Sequence, residues 1–375
     1  MRKGFFIILN IIALLVLVLS CLAAYIEPVQ YWQLSFIGFA FPVVLIVNFL
    51  FLVVWVLMGN RLALVPLAAI VLTWAFIHIT FAFNYIAVNK EQGIKLMTRN
   101  VKAFDLYNWS HNTEAHNNMM ALIRKENPDV LCLQEFYTNN MVFHNIDYIR
   151  DSLGYKYCYF PPAVELAKPA AKKLQQAWHN NLLIQQWGVA TFSKFPIIDT
   201  GRVDFGKTLS NSCIYTNLDI HGKTVRLYNV HFQSIHLGYE DYATLDELEG
   251  AQETRWTSLK SIIKKMKRAY TRRSIQANAV AKSMQHYEGS KIVCGDFNDV
   301  PVSYTYHTVS QNLQDAFVEK GKGFSPTFSN KLSIFRIDYV LLDPAFKINS
   351  YRVERKELSD HYPVIVSFNL KEINH

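Results

Sequence analysis

A mixed α/β sandwich covered by helices and preceded by three transmembrane helices is what this 375-residue sequence predicts, and two patterns predict it. The first ninety residues hold three long apolar intervals without a charged side chain. The rest alternates short β-rich runs with two helical stretches and frequent turn residues, the pattern of sheets packed against helices.

The uncharged intervals run from Lys3 to Glu27, from Glu27 to Arg61 and from Arg61 to Lys90. Each exceeds the roughly 20 apolar residues a helix needs to cross the hydrocarbon core. The expected spans are Phe5 to Ala24, Ile37 to Met58 and Leu62 to Tyr85. Val18-Leu19-Ser20-Cys21 also resembles a bacterial lipoprotein processing box, which would make the first span a cleaved signal. Both readings give one topology: Arg2, Lys3 and Arg61 fall on the cytoplasmic side and everything after Lys90 lies outside. The division is then 1–90, a membrane region, and 91–375, one globular domain.

Removing the four basic residues and one acidic residue of the first ninety from totals of 38 and 30 leaves the domain at net +5. That excess permits an anionic partner without naming one. Cys132 and Cys294 lie in apolar strand-like runs, which suits buried thiols, and no CxxC pair points to zinc. Oxidation of a pair among Cys132, Cys158, Cys213 and Cys294 stays open.

Strands are expected at Ile94 to Val101, Val130 to Leu133, Gly188 to Phe192, Lys291 to Cys294, Arg336 to Leu342 and Pro363 to Phe368. Cys213 to Ile220 and Val225 to Val230 flank the turn-like "HGK" as a hairpin. Helices are expected at Asn117 to Glu126, stopped by Asn127-Pro128, and over Asp246 to Tyr287 with an interruption near Tyr270.

Polar groups gather where these strands end: Asn100, Gln134 and Glu135, Asn229 and His231, Asp296 and Asn298, Asp338, and Ser359-Asp360-His361. Taken singly, an Asn ending a strand is a turn residue and an acid after a strand is a helix cap. Together they form a set of hard oxygen donors without a Cys/His cluster, which suits Mg²⁺ or Mn²⁺.

In order, "RNVKAF", "LCLQEF", "GVATFSKFPI", "LYNVHFQS", "VCGDFNDVP", "FRIDYVL" and "SDHYPV" resemble the successive motifs of the endonuclease/exonuclease/phosphatase superfamily. The chain reads as a membrane-anchored bacterial member. The resemblance implies a four-layered, DNase I-like α/β sandwich with its active site on one edge, and metal-assisted hydrolysis of a phosphate ester. Carried over by position, it makes Glu135 the principal metal ligand, with Asn100 and Asp360 as further ligands or phosphate contacts. Asp296 aligns or deprotonates the attacking water, and Asn298 holds the phosphoryl oxygen. His361 binds phosphate and is oriented by Asp338, His231 assists the leaving group, and Asn229 supports that loop and the phosphate-binding set.

The chemistry accounts for these residue types. Hydrolysis at neutral pH needs a water held in line, a phosphoryl oxygen relieved of charge and a leaving oxygen that is protonated or metal-bound. An uncharged Asn can donate to that oxygen where a second carboxylate would repel it. The expected function is an extracytoplasmic, Mg²⁺-dependent phosphoester hydrolase acting at the lipid bilayer on a membrane-associated or lipid-linked substrate. A nuclease for DNA or RNA stays open, as does an inactive module that binds a phosphate ligand. Selectivity falls to the Phe160 to Gln186 connection, with Lys168, Lys172, Lys173, Trp178 and His179, and to the Gln233 to Glu253 loop. The basic run Lys260 to Arg273 reads as the solvated face of an amphipathic helix, and no protein partner is readable.

Overall fold

The structure, a computed structural model, describes residues 2–85, 92–107, 113–178, 181–206, 208, 211–235, 252–329 and 335–371. Residues 86–91, the Trp178 side chain, His179, and residues 236–251 lie outside the described set.

The chain opens with α1 (Arg2–Leu22), α2 (Pro28–Tyr31), α3 (Gln33–Phe39), α4 (Phe41–Leu57), α5 (Leu64–Leu72) and α6 (Trp74–Thr80). There follow β1 (Ala82–Phe83), β2 (Ile94–Asn100), α7 (Ala115–Glu126), β3 (Val130–Asn139), β4 (Tyr157–Tyr159), β5 (Pro162–Pro169) and β6 (Leu182–Ser193). Next come β7 (Ile197–Val203), β8 (Ser212–Ile220), β9 (Lys223–His231), the long α8 (Gln252–Gln285), β10 (Ser290–Asp296) and α9 (Tyr304–Ser310). The chain closes with β11 (Gln314–Asp315), α10 (Ala316–Lys320), β12 (Lys322–Gly323), β13 (Asp338–Leu342), β14 (Phe346–Val353) and β15 (Val364–Leu370).

Two compact units result: Met1–Thr80 with Gln233–Asn278 and Asn298–Val309, and Phe81–Phe232 with Ala279–Phe297 and Ser310–His375. In the first unit, Gly4–Leu22 of α1 is long and apolar enough to cross a membrane. The second and third expected spans are each a helix pair, α3 with α4 bent by 59° and Arg61–Leu72 with α6 bent by 60°, so the count reaches three only if each bent pair is one span. Both bends have local causes. Pro42 at the start of α4 cannot donate to the preceding turn, and Thr73 Oγ1 turns back to the Ala69 carbonyl, which loosens the helix there. The core of this unit joins Leu17, Cys21, Phe41, Ala69 and Ile77 to Val302.

The interruption expected near Tyr270 is absent: α8 is continuous for 34 residues. Tyr270 is a buried contact on its face, its ring 5.5 Å from that of Phe36 and 4.8 Å from the Arg273 guanidinium.

The second unit holds a six-stranded sheet, β11-β13-β10-β9-β8-β7, and a seven-stranded path, β14-β15-β2-β3-β6-β4, with β5 added on β6. One apolar cluster takes Leu96, Val130, Val364 and Val366 from the second sheet and Leu227, Ile292, Cys294 and Val340 from the first. The alternate residues Met97, Leu131, Leu133 and Ile365 face the other way and pack with Met119, Met120, Leu122 and Ile123 of α7. A strand buried on both faces reads as a continuous apolar run, which is why β3 and β10 were legible in sequence.

Five strands exceed or escape the sequence reading. β3 continues to Asn139 beyond a register shift between Leu133 and Phe136. The Phe160 to Gln186 connection contains β5 and the first part of β6. β7 and β14 lie at sheet edges, where half-exposed residues dilute the apolar signal.

Candidate active site

Strand register places the first group of site residues. In the six-stranded sheet Asp296 pairs with Asp338 on the antiparallel side and with His231 on the parallel side, so three polar residues form one row across β13, β10 and β9. Glycine at 295 lets this row form: Gly295 has φ 130°, and a Cβ there would overlap the Val230 carbonyl oxygen of the neighbouring strand.

The other sheet supplies the second group. Asn100, at the end of β2, pairs with Gln134. Glu135 follows in the bulge of β3 with φ 48°, a conformation that redirects its side chain out of the ladder. The Glu135 side chain is 37% exposed, whereas Asp296, Asp338 and His231 are almost wholly buried.

Asn100 binds the two groups together. Its Nδ2 donates to Glu135 Oε1 and to Asp296 Oδ2, each at 3.0 Å, while its Oδ1 accepts from the Lys102 N–H at 2.9 Å. His361 joins from the loop before β15, with Nδ1 2.9 Å from Asp338 Oδ2 and Nε2 3.7 Å from Asp296 Oδ2. His231 Nε2 stands 3.5 Å from Glu135 Oε1 and 3.8 Å from Asp296 Oδ2. Among the described residues neither ring nitrogen of His231 has a hydrogen-bond partner. The Asp296 carboxylate therefore lies between an amide and two imidazoles, all within 4 Å.

Charge and burial work against each other here. Burial lifts the Asp296 carboxyl above its ordinary range, as does Asp338, while His361, His231 and the Asn100 amide pull the other way. Burial alone would lower the His361 pKa. Asp338, Asp296 and Asp360 outweigh it and raise the imidazole from 6.5 to about 10. Burial also opposes ionisation of Asp360, but His361 and the Lys102 ammonium hold its pKa below the ordinary carboxylate value.

Asp360 itself is paired with Lys102, Nζ to Oδ2 at 2.7 Å. Ser359 Oγ ties the same loop to the end of β2 by donating to the Asn100 carbonyl at 3.0 Å. Asn229 is wholly buried, donating Nδ2 to the Ala190 carbonyl and accepting from Gln134 Nε2 at 2.6 Å, so it braces one sheet on the other. Asn298, two residues beyond Asp296 in the chain, has φ 53° and begins the segment that belongs to the first unit.

Three residues were given no role by the sequence. Lys102 follows Asn100 inside "RNVKAF", and its cation beside an Asp of a distant motif was the available signal. Residues 102–105 have φ between 46° and 58°, four successive left-handed non-glycine residues, at about 1–2 kcal/mol each. Burial of Phe104 against Phe136 and His116 offsets that strain. Gln134, noted at its strand end without a role, is the second, donating to Asn229 Oδ1 at 2.6 Å. The third is Arg99, 1% exposed, whose three guanidinium nitrogens have no hydrogen-bond partner among the described residues.

The donor set fits a hard divalent cation. Asp296, Asp338 and His361 offer ligand atoms that all lie within 4.8 Å of one another. Glu135 adds a partly exposed carboxylate to Asp296 through the Asn100 bridge, and no thiol is among these residues.

Residues 104–361 match the model of the Endonuclease/Exonuclease/phosphatase family, and residues 3–80 match that of a domain of unknown function, DUF8431. Among solved structures the chain is similar to an endonuclease/exonuclease/phosphatase from Beutenbergia cavernae DSM 12333, with 18% identity over 74% of this chain and 71% of that one and a TM-score of 0.48. It is similar to a mannosyl-6-phosphatase of Bacteroides thetaiotaomicron VPI-5482, with 14% identity over 74% of this chain and 100% of that one and a TM-score of 0.48. A third is D. rerio TDP2 complexed with single strand DNA product, with 11% identity over 74% of this chain and 98% of that one and a TM-score of 0.47. No curated protein matches the chain.

Proposed function

Because the chain belongs to the endonuclease/exonuclease/phosphatase family and is therefore a metal-dependent phosphoric ester hydrolase, we propose that it works with Mg²⁺ outside the cytoplasm, on a membrane-associated or lipid-linked phosphate ester. Residues 1–90 carry the membrane helices and 91–375 the catalytic motifs. The observation that carries this reading is the Asp296 carboxylate, buried between the Asn100 amide and the imidazoles of His361 and His231.

The residues divide the work as follows. Asp296 orients a water and accepts its proton as the water oxygen bonds to phosphorus; burial, by raising its basicity, favours that transfer. His361, held as imidazolium by Asp338, donates through Nε2 to a non-bridging oxygen, and Asn298 donates to the same phosphoryl group. The bond to the leaving oxygen breaks, and His231 gives that oxygen a proton. Glu135, with Asn100 and Asp360 as further ligands or phosphate contacts, would hold the divalent cation, whose bound charge would offset that on the phosphoryl oxygens. Asn229 keeps Gln134 and the end of β3 in place.

Membrane attachment supports the lipid substrate. An apolar helix long enough to cross a bilayer, Gly4–Leu22, fixes the enzyme at a surface and raises its effective concentration toward substrates held there. The basic residues Arg2, Lys3 and Arg61 favour the outward placement of the catalytic motifs.

The test uses the full chain in detergent with Mg²⁺, offered bis(4-nitrophenyl) phosphate, phospholipid in mixed micelles and supercoiled plasmid, beside its Asp296→Asn variant. Hydrolysis of the diester and of phospholipid, lost in the variant, is expected. Plasmid nicking without lipid turnover would replace the lipid reading with a nuclease, and inactivity on all three would remove both.

A further inference from the structure

The first unit contains more than membrane helices, and its inner contacts converge on the segment that begins with Asn298. Val302 is buried in the same apolar cluster as Leu17, Cys21, Phe41 and Ile77. Gly38 of α3 lies so close to it that a Cβ would meet the Val302 carbonyl oxygen at 2.7 Å and the Ala23 Cβ at 2.6 Å. The Tyr25 ring lies 4.5 Å from that of His307.

A polar chain runs beside these contacts. Glu27, the only acid among the first ninety residues, accepts from Asn278 Nδ2 at 2.7 Å, and Asn278 Oδ1 accepts from the Tyr304 hydroxyl at 2.9 Å. Five residues earlier on α8, Arg273 is 1% exposed and forms an ion pair with Asp299 Oδ2 at 3.2 Å, while its Nη1 donates to the Gln233 carbonyl at 3.1 Å. Asp299 also accepts from Thr305 Oγ1 at 2.8 Å, and Gln276 Oε1 accepts from the Gln233 N–H at 2.9 Å. Asp299 follows Asn298 directly in the chain, and Gln233 stands two residues after His231.

We infer that the N-terminal helices hold the loop bearing Asn298, with Glu27 as the positioning residue at their end of a Glu27–Asn278–Tyr304 relay, so that region 1–80 sets the turnover of the enzyme as well as attaching it. Buried ion pairs and hydrogen bonds to charged groups fix geometry because any other arrangement leaves an unpaired group. An amide placed by such a network donates to a phosphoryl oxygen at full strength, whereas one on a loosened loop has first to be ordered. The inference rests on the role proposed for Asn298.

Hydrogen exchange on the full chain in lipid nanodiscs tests it without requiring catalysis. Glu27→Ala is expected to speed exchange of peptides covering 298–309 about tenfold, with the strands at 338–342 and 364–370 unchanged as internal controls. Glu27→Gln, which keeps an acceptor oxygen for Asn278, is expected to restore protection. The kcat on bis(4-nitrophenyl) phosphate should fall in Glu27→Ala with KM little moved. Unchanged exchange in 298–309 would overturn the inference, and so would faster exchange with wild-type kcat. A wild-type protein inactive on every ester, but with exchange shifted as described, would sink the proposed function and leave the seating of the loop standing.

Discussion

Asp338 Oδ2 meets His361 Nδ1 at 2.9 Å, joining the start of β13 in one sheet to the loop before β15 in the other. Both side chains are buried, so the pair fixes the imidazole ring and sends its Nε2 toward Asp296. This one contact links sheet packing to the site's charge.

Its charge makes the first prediction. The His361 imidazole titrates near 10 when folded and near 6.5 when unfolded, so the folded state holds the proton more tightly. The resulting stability is complete below about pH 6.5 and is lost as pH rises through about 10. Measured as thermal midpoint against pH in EDTA, the wild type should lose stability across that window. Asp338→Asn should flatten the slope, because the first of the groups raising the His361 pKa is gone. A slope unchanged by Asp338→Asn would refute the pairing as its source.

Asn100 makes the second. Its amide is shared by Glu135 and Asp296, donating to both carboxylates at 3.0 Å. Asn100→Asp has nearly the same shape but replaces two donors with a third negative charge. In EDTA it should unfold about 1–3 kcal/mol more easily than wild type in urea titrations, with part of the loss recovered by Mg²⁺. Equal midpoints in EDTA would mean that the amide does not bridge the carboxylates.

What could be read in advance follows burial. β3 and β10 carry unbroken apolar runs because both faces are covered, and their polar ends at Glu135 and Asp296 stand out against that background. The edge strands β7 and β14 carry mixed residues and were invisible. Bridging by Asn100 was not legible, since its partners are 35 and 196 residues away and only the register of two sheets brings them near. Arg99 and Lys102 were hidden for a different reason. One is a buried cation in an apolar strand and the other sits on a left-handed turn that no glycine announces.

Gly295 makes the third. Its φ of 130° and the Val230 carbonyl oxygen leave no room for a methyl group. Gly295→Ala should destabilise the protein by about 3 kcal/mol or more, through strain and displacement of β10 from β9. Because Asp296 is the next residue, turnover of any protein that does fold should fall further than in a control of equal instability made in the same strand, such as Val293→Ala. A folded Gly295→Ala with wild-type midpoint and rate would show that the close approach is relaxed in solution.

Metal removal makes the fourth. Glu135 is the most exposed acid of the site, held in the bulge by a left-handed residue conformation and hydrogen-bonded to the Asn100 amide. A ligand that binds only the folded state raises stability by RT ln(1 + [L]/Kd), roughly 2.7 kcal/mol at a hundredfold excess over Kd. Mg²⁺ added to EDTA-treated protein should therefore raise its thermal midpoint, and activity should return with the same concentration dependence. Glu135→Gln keeps the shape and the acceptor oxygen but removes the charge that attracts the cation, so its midpoint should respond only at much higher Mg²⁺. Asp360 provides the contrast: already paired with Lys102 at 2.7 Å, its neutralisation should change the Mg²⁺ response less than that of Glu135. The reverse order would move the cation to the Asp360 side of the site, with Lys102 displaced from it.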